Sequence, residues 1–150
     1  MAVPKIRFAE RSDLEALVQL CKLHAIYEQR DYNSTNKKNK LQEHLFSKKT
    51  SLYCLVVEYL GKIIGYATYM KQFSTWDADF YLYMDCLFIT AASRGSGIGE
   101  KLILEIKSEA KKLNCTTIQW QTPKFNTRAI KFYDRIGGTS TTKERYLLKL

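Results

Sequence analysis

The stretch Phe80-Tyr81-Leu82-Tyr83-Met84-Asp85-Cys86-Leu87-Phe88-Ile89, followed after four residues by Arg94-Gly95-Ser96-Gly97-Ile98-Gly99, decides the architecture. The first run is long, aromatic and almost wholly apolar, which predicts a strand buried on both faces. Beyond the glycines, Ile98, Leu102, Ile106, Ala110 and Leu113 recur at helical spacing, with Lys101, Glu105, Ser108 and Lys112 on the polar side and Asn114 placed to end the helix. A strand, a glycine-rich turn and an amphipathic helix in that order predict a mixed α/β domain. The turn is an anion site by construction. Glycines at 95, 97 and 99 remove Cβ atoms where a ligand's phosphates would approach the backbone. The free N–H groups and the positive end of the following helix point to the same place, and Arg94 adds a fixed cation.

Upstream, Val3 to Phe8 opens as a short strand, and Ser12-Asp13-Leu14-Glu15 has capping-box spacing. Leu14, Leu17, Val18, Cys21 and Ala25 then carry a helix to about Glu28. Tyr27 to Lys40 is polar and reads as a loop, with a short helix around Leu41 to Phe46. Leu52 to Tyr59 and Ile63 to Met70 flank Leu60-Gly61 as an antiparallel hairpin, and Lys71 to Asp79 interrupts around Trp76. Downstream, Thr116 to Gln121 is a strand that Pro123 breaks. Asn126 to Arg135 is a helix stopped by Gly137-Gly138, and Thr141 to Leu148 returns as a last strand. The predicted order is β-α-α-β-β-β-α-β-α-β, in one domain over residues 1–150.

The chain has 150 residues, 45% of them hydrophobic, enough for one core without disulfides or metal. No metal site is expected. No apolar run reaches membrane-spanning length, and the first residues carry no signal-peptide pattern, so a cytoplasmic protein is expected. Cys21, Cys54, Cys86 and Cys115 form no Cys-x-x-Cys pair and read as reduced packing residues. The net charge of +9 is spread over short clusters such as Lys48-Lys49 and Lys111-Lys112 rather than one stripe. No nucleic-acid motif accompanies them, so nucleic acid is not an expected partner.

Gly95-Ser96-Gly97-Ile98-Gly99 is not a dinucleotide fingerprint, because its third glycine arrives one residue early. Nor is it a Walker loop, since no Gly-Lys-Ser/Thr closes it. Arg94 to Gly99 resembles the Arg/Gln-x-x-Gly-x-Gly/Ala signature of the GNAT superfamily of N-acetyltransferases. Asn126-Thr127-Arg128-Ala129-Ile130-Lys131-Phe132-Tyr133 resembles its second landmark, Asn-x-x-Ala-x-x-Phe-Tyr. Within the superfamily the chain is similar to the spermidine/spermine group, which includes thialysine acetyltransferases. Ala25-Ile26-Tyr27-Glu28, Tyr53 to Glu58, Tyr83 to Ile89 and Tyr146-Leu147-Leu148-Lys149 carry that likeness.

The resemblance implies direct acetyl transfer from acetyl-CoA to the primary amine of a small molecule, a polyamine, diamine or lysine-like amine, by a single domain that pairs as a homodimer. It implies that acetyl-CoA lies along Leu87, Phe88 and Ile89, at Arg94, Gly95, Ser96, Gly97, Ile98, Gly99 and Glu100, and against Asn126. A backbone N–H near Leu87 would receive the oxyanion, and Tyr133 would protonate the departing sulfur. Tyr27, Glu28 and Asp85 would hold the amine, and Asp85 would take its proton directly or through water; Asp31 is a further carboxylate near that end of the helix. The group's central strand carries two adjacent acids where this chain has Asp85 and Cys86, which weakens polyamine as the acceptor. His24 and His44 read as structural or exposed, and Cys86 as a core or wall residue rather than a nucleophile. Protein or peptide acetylation and silent acyl-CoA binding are the alternative readings.

Overall fold

Leu60 and Gly61 both take positive φ, 50° and 74°. That is the twist a two-residue hairpin turn requires, so strand β2 (Leu52–Tyr59) returns directly as β3 (Lys62–Ser74). The structure, a computed structural model, describes residues 1–150. Around the hairpin the chain runs β1 (Lys5–Phe8), α1 (Leu14–Tyr27), α2 (Lys37–Phe46), β2, β3, β4 (Asp79–Ile89), α3 (Ile98–Lys112), β5 (Ile118–Gln119) and α4 (Thr127–Arg135). The five strands lie in chain order in one sheet; β1 to β4 pair antiparallel, and β5 joins β4 in parallel after the α3 crossover.

The sheet separates two cores. On one face Leu55, Val57, Ala67, Tyr69, Leu82 and Met84 meet Ile98, Leu102, Ile103 and Ile106 of α3. On the other, Cys54, Val56, Tyr66 and Phe88 meet Leu14, Leu17 and Leu20 of α1 and Leu45 of α2. Strand alternation explains the division along β2, where successive residues enter opposite cores. In β4 the alternation is broken once. Tyr69 pairs with Met84 and the next residue back, Thr68, pairs with Cys86, so Asp85 is an extra residue in a bulge. Before it, Leu82 and Met84 face α3. After it, Leu87 and Ile89 face that side while Cys86 and Phe88 turn to α1.

Several expectations need correction. β4 is not buried on both faces: Asp79 and Phe80 are exposed at its start, and Asp85 is exposed where the strand borders a cleft. β3 continues to Ser74 through the predicted interruption, since Lys71 to Ser74 stay paired with Asp79 to Leu82. α2 begins at Lys37, inside the predicted loop. Ser12 caps nothing. Asp13 accepts from the Glu10 N–H at 2.7 Å instead, fixed by two bonds from Arg7 of β1 at 2.8 and 3.0 Å. The predicted strand over Thr141 to Leu148 does not form, and every residue from 139 to 150 is exposed. β5 spans only two residues, so the sheet offers the tail little ladder to join. The helix ends fall where the sequence puts them: Asn114 (φ 57°) follows α3 and Gly137 (φ 96°) follows α4 in the left-handed region.

Candidate active site

β4 and β5 pair only at Leu82 and Tyr83, and then part. The Leu82 N–H reaches the Thr117 carbonyl at 2.9 Å, whereas the Thr90 N–H turns the opposite way, to Ile64 of β3, at 2.9 Å. Because donor direction alternates along a strand, the N–H groups of Leu87 and Ile89 face the side β5 has left. The opening is a cleft of about 1300 Å³. Its walls are the last turns of α1, the β4 edge, the Arg94–Gly99 turn, the Trp120–Asn126 segment and α4.

At one end lies the glycine turn. Gly95 and Gly97 have φ of 83° and 81°, a conformation an L side chain resists by roughly 1–2 kcal/mol. A Cβ built on either would meet nothing within 4 Å, so the space beside both is open. The first N–H groups of α3 face no helical partner there, the arrangement that receives phosphate. A Cβ at Gly99 would sit 3.3 Å from the Phe132 ring; glycine there lets α3 and α4 approach. Glu100 is exposed and pairs with Arg135 of α4 at 3.3 Å.

Arg94 is held rather than free. Its Nε donates to the Ile89 carbonyl at 2.9 Å, and its guanidinium lies 4.5 Å above the Tyr27 ring and 5.3 Å from that of Phe88. Tyr27 in turn donates to Asn126 Oδ1 across the cleft at 2.8 Å. Asn126 also caps α4, accepting from the Ala129 N–H at 3.4 Å, and its amide donates to Thr122. Its polar atoms are therefore engaged within the chain, a role the sequence motif did not disclose.

Tyr133 stands on the α4 face of the cleft, its ring against Trp120 and Phe132 at 5.1 and 5.4 Å. Burial, with the Glu28 charge adding to it, raises its pKa above the ordinary phenol range, so it keeps its proton. Asp85 is exposed at the bulge and faces the same cleft, with the Cys86 thiol 3.8 Å away. Burial pushes that thiol up to about 12, the opposite of an activated nucleophile. Glu28 and Asp31 line the α1 side.

The sequence reads His24 as structural or exposed and gives it no place in the site. His24 lines the cleft with its side chain 14% exposed, one nitrogen beside the Glu28 carboxylate and the other 2.9 Å from the Tyr66 hydroxyl. The signal in the sequence was the His24–Glu28 spacing of four on one helix face.

Residues 17–138 match the Acetyltransferase (GNAT) family. The chain belongs to that family. It is an N-acetyltransferase that uses acetyl-CoA, the enzyme class the two sequence motifs imply. The thialysine N-epsilon-acetyltransferase of Bos taurus is 26% identical over 151 residues, covering 95% of this chain and 88% of its own. The D-amino-acid N-acetyltransferase of Saccharomyces cerevisiae is 33% identical over 76 residues, covering 51% of this chain and 47% of its own. Among solved structures, an aminoglycoside N-acetyltransferase in complex with CoA superposes with a TM-score of 0.83 at 18% identity. It covers 99% of this chain and 96% of that one, and the likeness is one of fold. No helix of this GNAT chain is long and apolar enough to cross a membrane.

Proposed function

We propose that this acetyltransferase moves the acetyl group directly to the primary amine of a small, lysine-like or amino-acid acceptor. The observation that carries this reading is one cleft joining the glycine turn, Tyr133 and the carboxylates of Glu28 and Asp85. The turn Arg94 to Gly99 fits a pyrophosphate, because the space beside Gly95 and Gly97 is open and backbone donors converge on it. Leu87, Phe88 and Ile89 would flank the pantetheine, with the N–H groups of Leu87 and Ile89 facing it. Glu100 and Asn126 border the same site.

Glu28 and Asp85 suit an amine, while Lys37, Arg128, Lys131, Lys143 and Arg145 line the cleft as well. A polycation gains little from that mixture; an amine that also carries a carboxylate gains from both signs. The thialysine and D-amino-acid enzymes it resembles act, by their names, on such molecules. In the reaction the acceptor nitrogen loses a proton to a carboxylate and forms the amide bond as the carbon–sulfur bond breaks. The sulfur leaves with the bonding pair and takes the Tyr133 proton, and the nitrogen's second proton restores Tyr133. The backbone N–H of Leu87, which faces the side β5 has left, would meet the charge that develops on oxygen.

A homodimer is supported by the tail, where Tyr146, Leu147, Leu148 and Leu150 are all exposed. Four unpaired cysteines suit a cytoplasmic setting.

The test is a turnover screen across lysine analogues, amino acids, polyamines, aminoglycosides and peptide N-termini, run beside Gly97→Ala. The variant should bind acetyl-CoA about tenfold more weakly by calorimetry, since the left-handed turn resists a Cβ by roughly 1–2 kcal/mol. Unchanged affinity would move the cofactor elsewhere, and preference for long polyamines would displace the amino-acid reading.

A further inference from the structure

His24 is tied at both ring nitrogens, and the ties run in one direction. It sits one turn before Glu28 on the face of α1 that borders the cleft, with Nε2 beside the carboxylate. Nδ1 is 2.9 Å from the hydroxyl of Tyr66, a residue only 2% exposed. The ring also stacks on Phe88, at 5.1 Å and 19°, a contact that favours this orientation. An ionised carboxylate only accepts, so Nε2 carries the hydrogen and Nδ1 its lone pair, and Tyr66 donates to that pair. The result is an ordered chain, Tyr66 to His24 to Glu28, ending in the cleft. Asp85 has no such support. It is open to water and meets only the Cys86 thiol, at 3.8 Å.

We propose that His24 is a positioning residue that orients Glu28 to take the acceptor's proton; this rests on the amine-acceptor reading above. The acceptor's N–H bond breaks, its electron pair stays on nitrogen, and the proton binds the Glu28 oxygen not held by Nε2. After transfer the proton leaves Glu28 for solvent, which its partly exposed carboxylate reaches. Protonation of the ring would turn the hydrogen bond into a full ion pair, and Glu28 would lose its pull on the ammonium. The groups facing the imidazole set when that happens: Glu28 and Cys21 from α1, Tyr66 from β3, Asp85 and Cys86 from β4, and Arg94 from the turn, with Tyr133 across from Glu28. Burial is the largest influence and lowers the imidazole's pKa; Glu28 and Asp85 oppose it, and Arg94 assists it. The neutral, working form therefore prevails at neutral pH.

The experiment compares His24→Leu, His24→Gln and wild type on the best amine from the screen. Glutamine keeps an N–H for Glu28 but cannot charge. His24→Leu should lower kcat by about a hundredfold, the scale of a misplaced catalytic group, with acetyl-CoA affinity unchanged by calorimetry. His24→Gln should keep kcat within about tenfold at pH 8 and lose the fall that wild type shows on the acid side of the ordinary imidazole range. Nitrogen-15 spectra of the wild-type imidazole should show the Nε2–H tautomer. The proposal is overturned by an Nδ1–H tautomer, by wild-type kcat in both variants, or by His24→Gln losing as much as His24→Leu while keeping the wild-type pH profile. Wild type that binds acetyl-CoA but acetylates no amine sinks the amine reading itself, a distinct outcome.

Discussion

Tyr133 shows how a single residue's surroundings decide its chemistry. Its ring is fixed by Trp120 and Phe132, and burial keeps its hydroxyl protonated beyond the ordinary range. Tyr133→Phe keeps the packing and deletes the proton, so turnover should drop by about a hundred- to ten-thousand-fold while acetyl-CoA affinity holds. Because the pKa is raised, kcat of the wild type should stay level through pH of about 10, where an ordinary tyrosine ionises. A variant as fast as wild type would leave Tyr133 as a packing residue. The candidate site was legible where chemistry and backbone coincide: Gly95 and Gly97 take φ above 80°, and Asn-x-x-Ala-x-x-Phe-Tyr puts Tyr133 on a helix that lines the cleft. It was illegible where meaning came from a partner distant in sequence. Nothing around His24 announces Tyr66, and nothing around Tyr27 announces Asn126.

At the scale of elements, Arg7 of β1 ties the start of α1 to β2, through Asp13 and through Glu58 at 3.2 Å. The Arg7 hydrogen bonds hold the Asp13 carboxyl below its usual range, against the opposing effect of burial. A carboxylate with a depressed folded pKa stabilises the fold above its unfolded value and ceases to do so as pH falls through the folded one. Asp13→Asn should therefore cost about 1–3 kcal/mol near neutral pH, and the gap to wild type should close below about pH 4. Thermal melts of both proteins across that range give the answer; a gap that is constant with pH would exclude the charge. Element order was legible because apolar periodicity reports burial. The last strand was not, because Thr141 to Leu148 has strand composition but no neighbouring ladder. The bulge at Asp85 was hidden for a related reason: in a run that is apolar on both parities, a change of face leaves no mark.

For the whole molecule the exposed tail makes the clearest forecast. Residues 139–150 are all exposed; Lys143 to Arg145 border the cleft, and Tyr146, Leu147, Leu148 and Leu150 are presented to solvent. In the homodimer proposed above they form the interface, so deleting them should leave a monomer by light scattering. The dilute monomer should melt within about 2 °C of the full chain, because exposed residues contribute within about 0.5 kcal/mol. A truncated chain that still elutes as a dimer would place the interface elsewhere. The Tyr27–Asn126 bond bears on how the enzyme comes into being. The strands of the sheet follow chain order, so each hairpin can condense on the one before it. That bond instead joins residues 99 apart, and closing so long a loop is favourable only once the intervening sheet already holds its ends together. The two walls of the cleft thus meet late in folding. A chain still emerging from the ribosome, with α4 not yet made, has one wall of the cleft without the other, and so no enclosed place for a thioester to meet an acceptor.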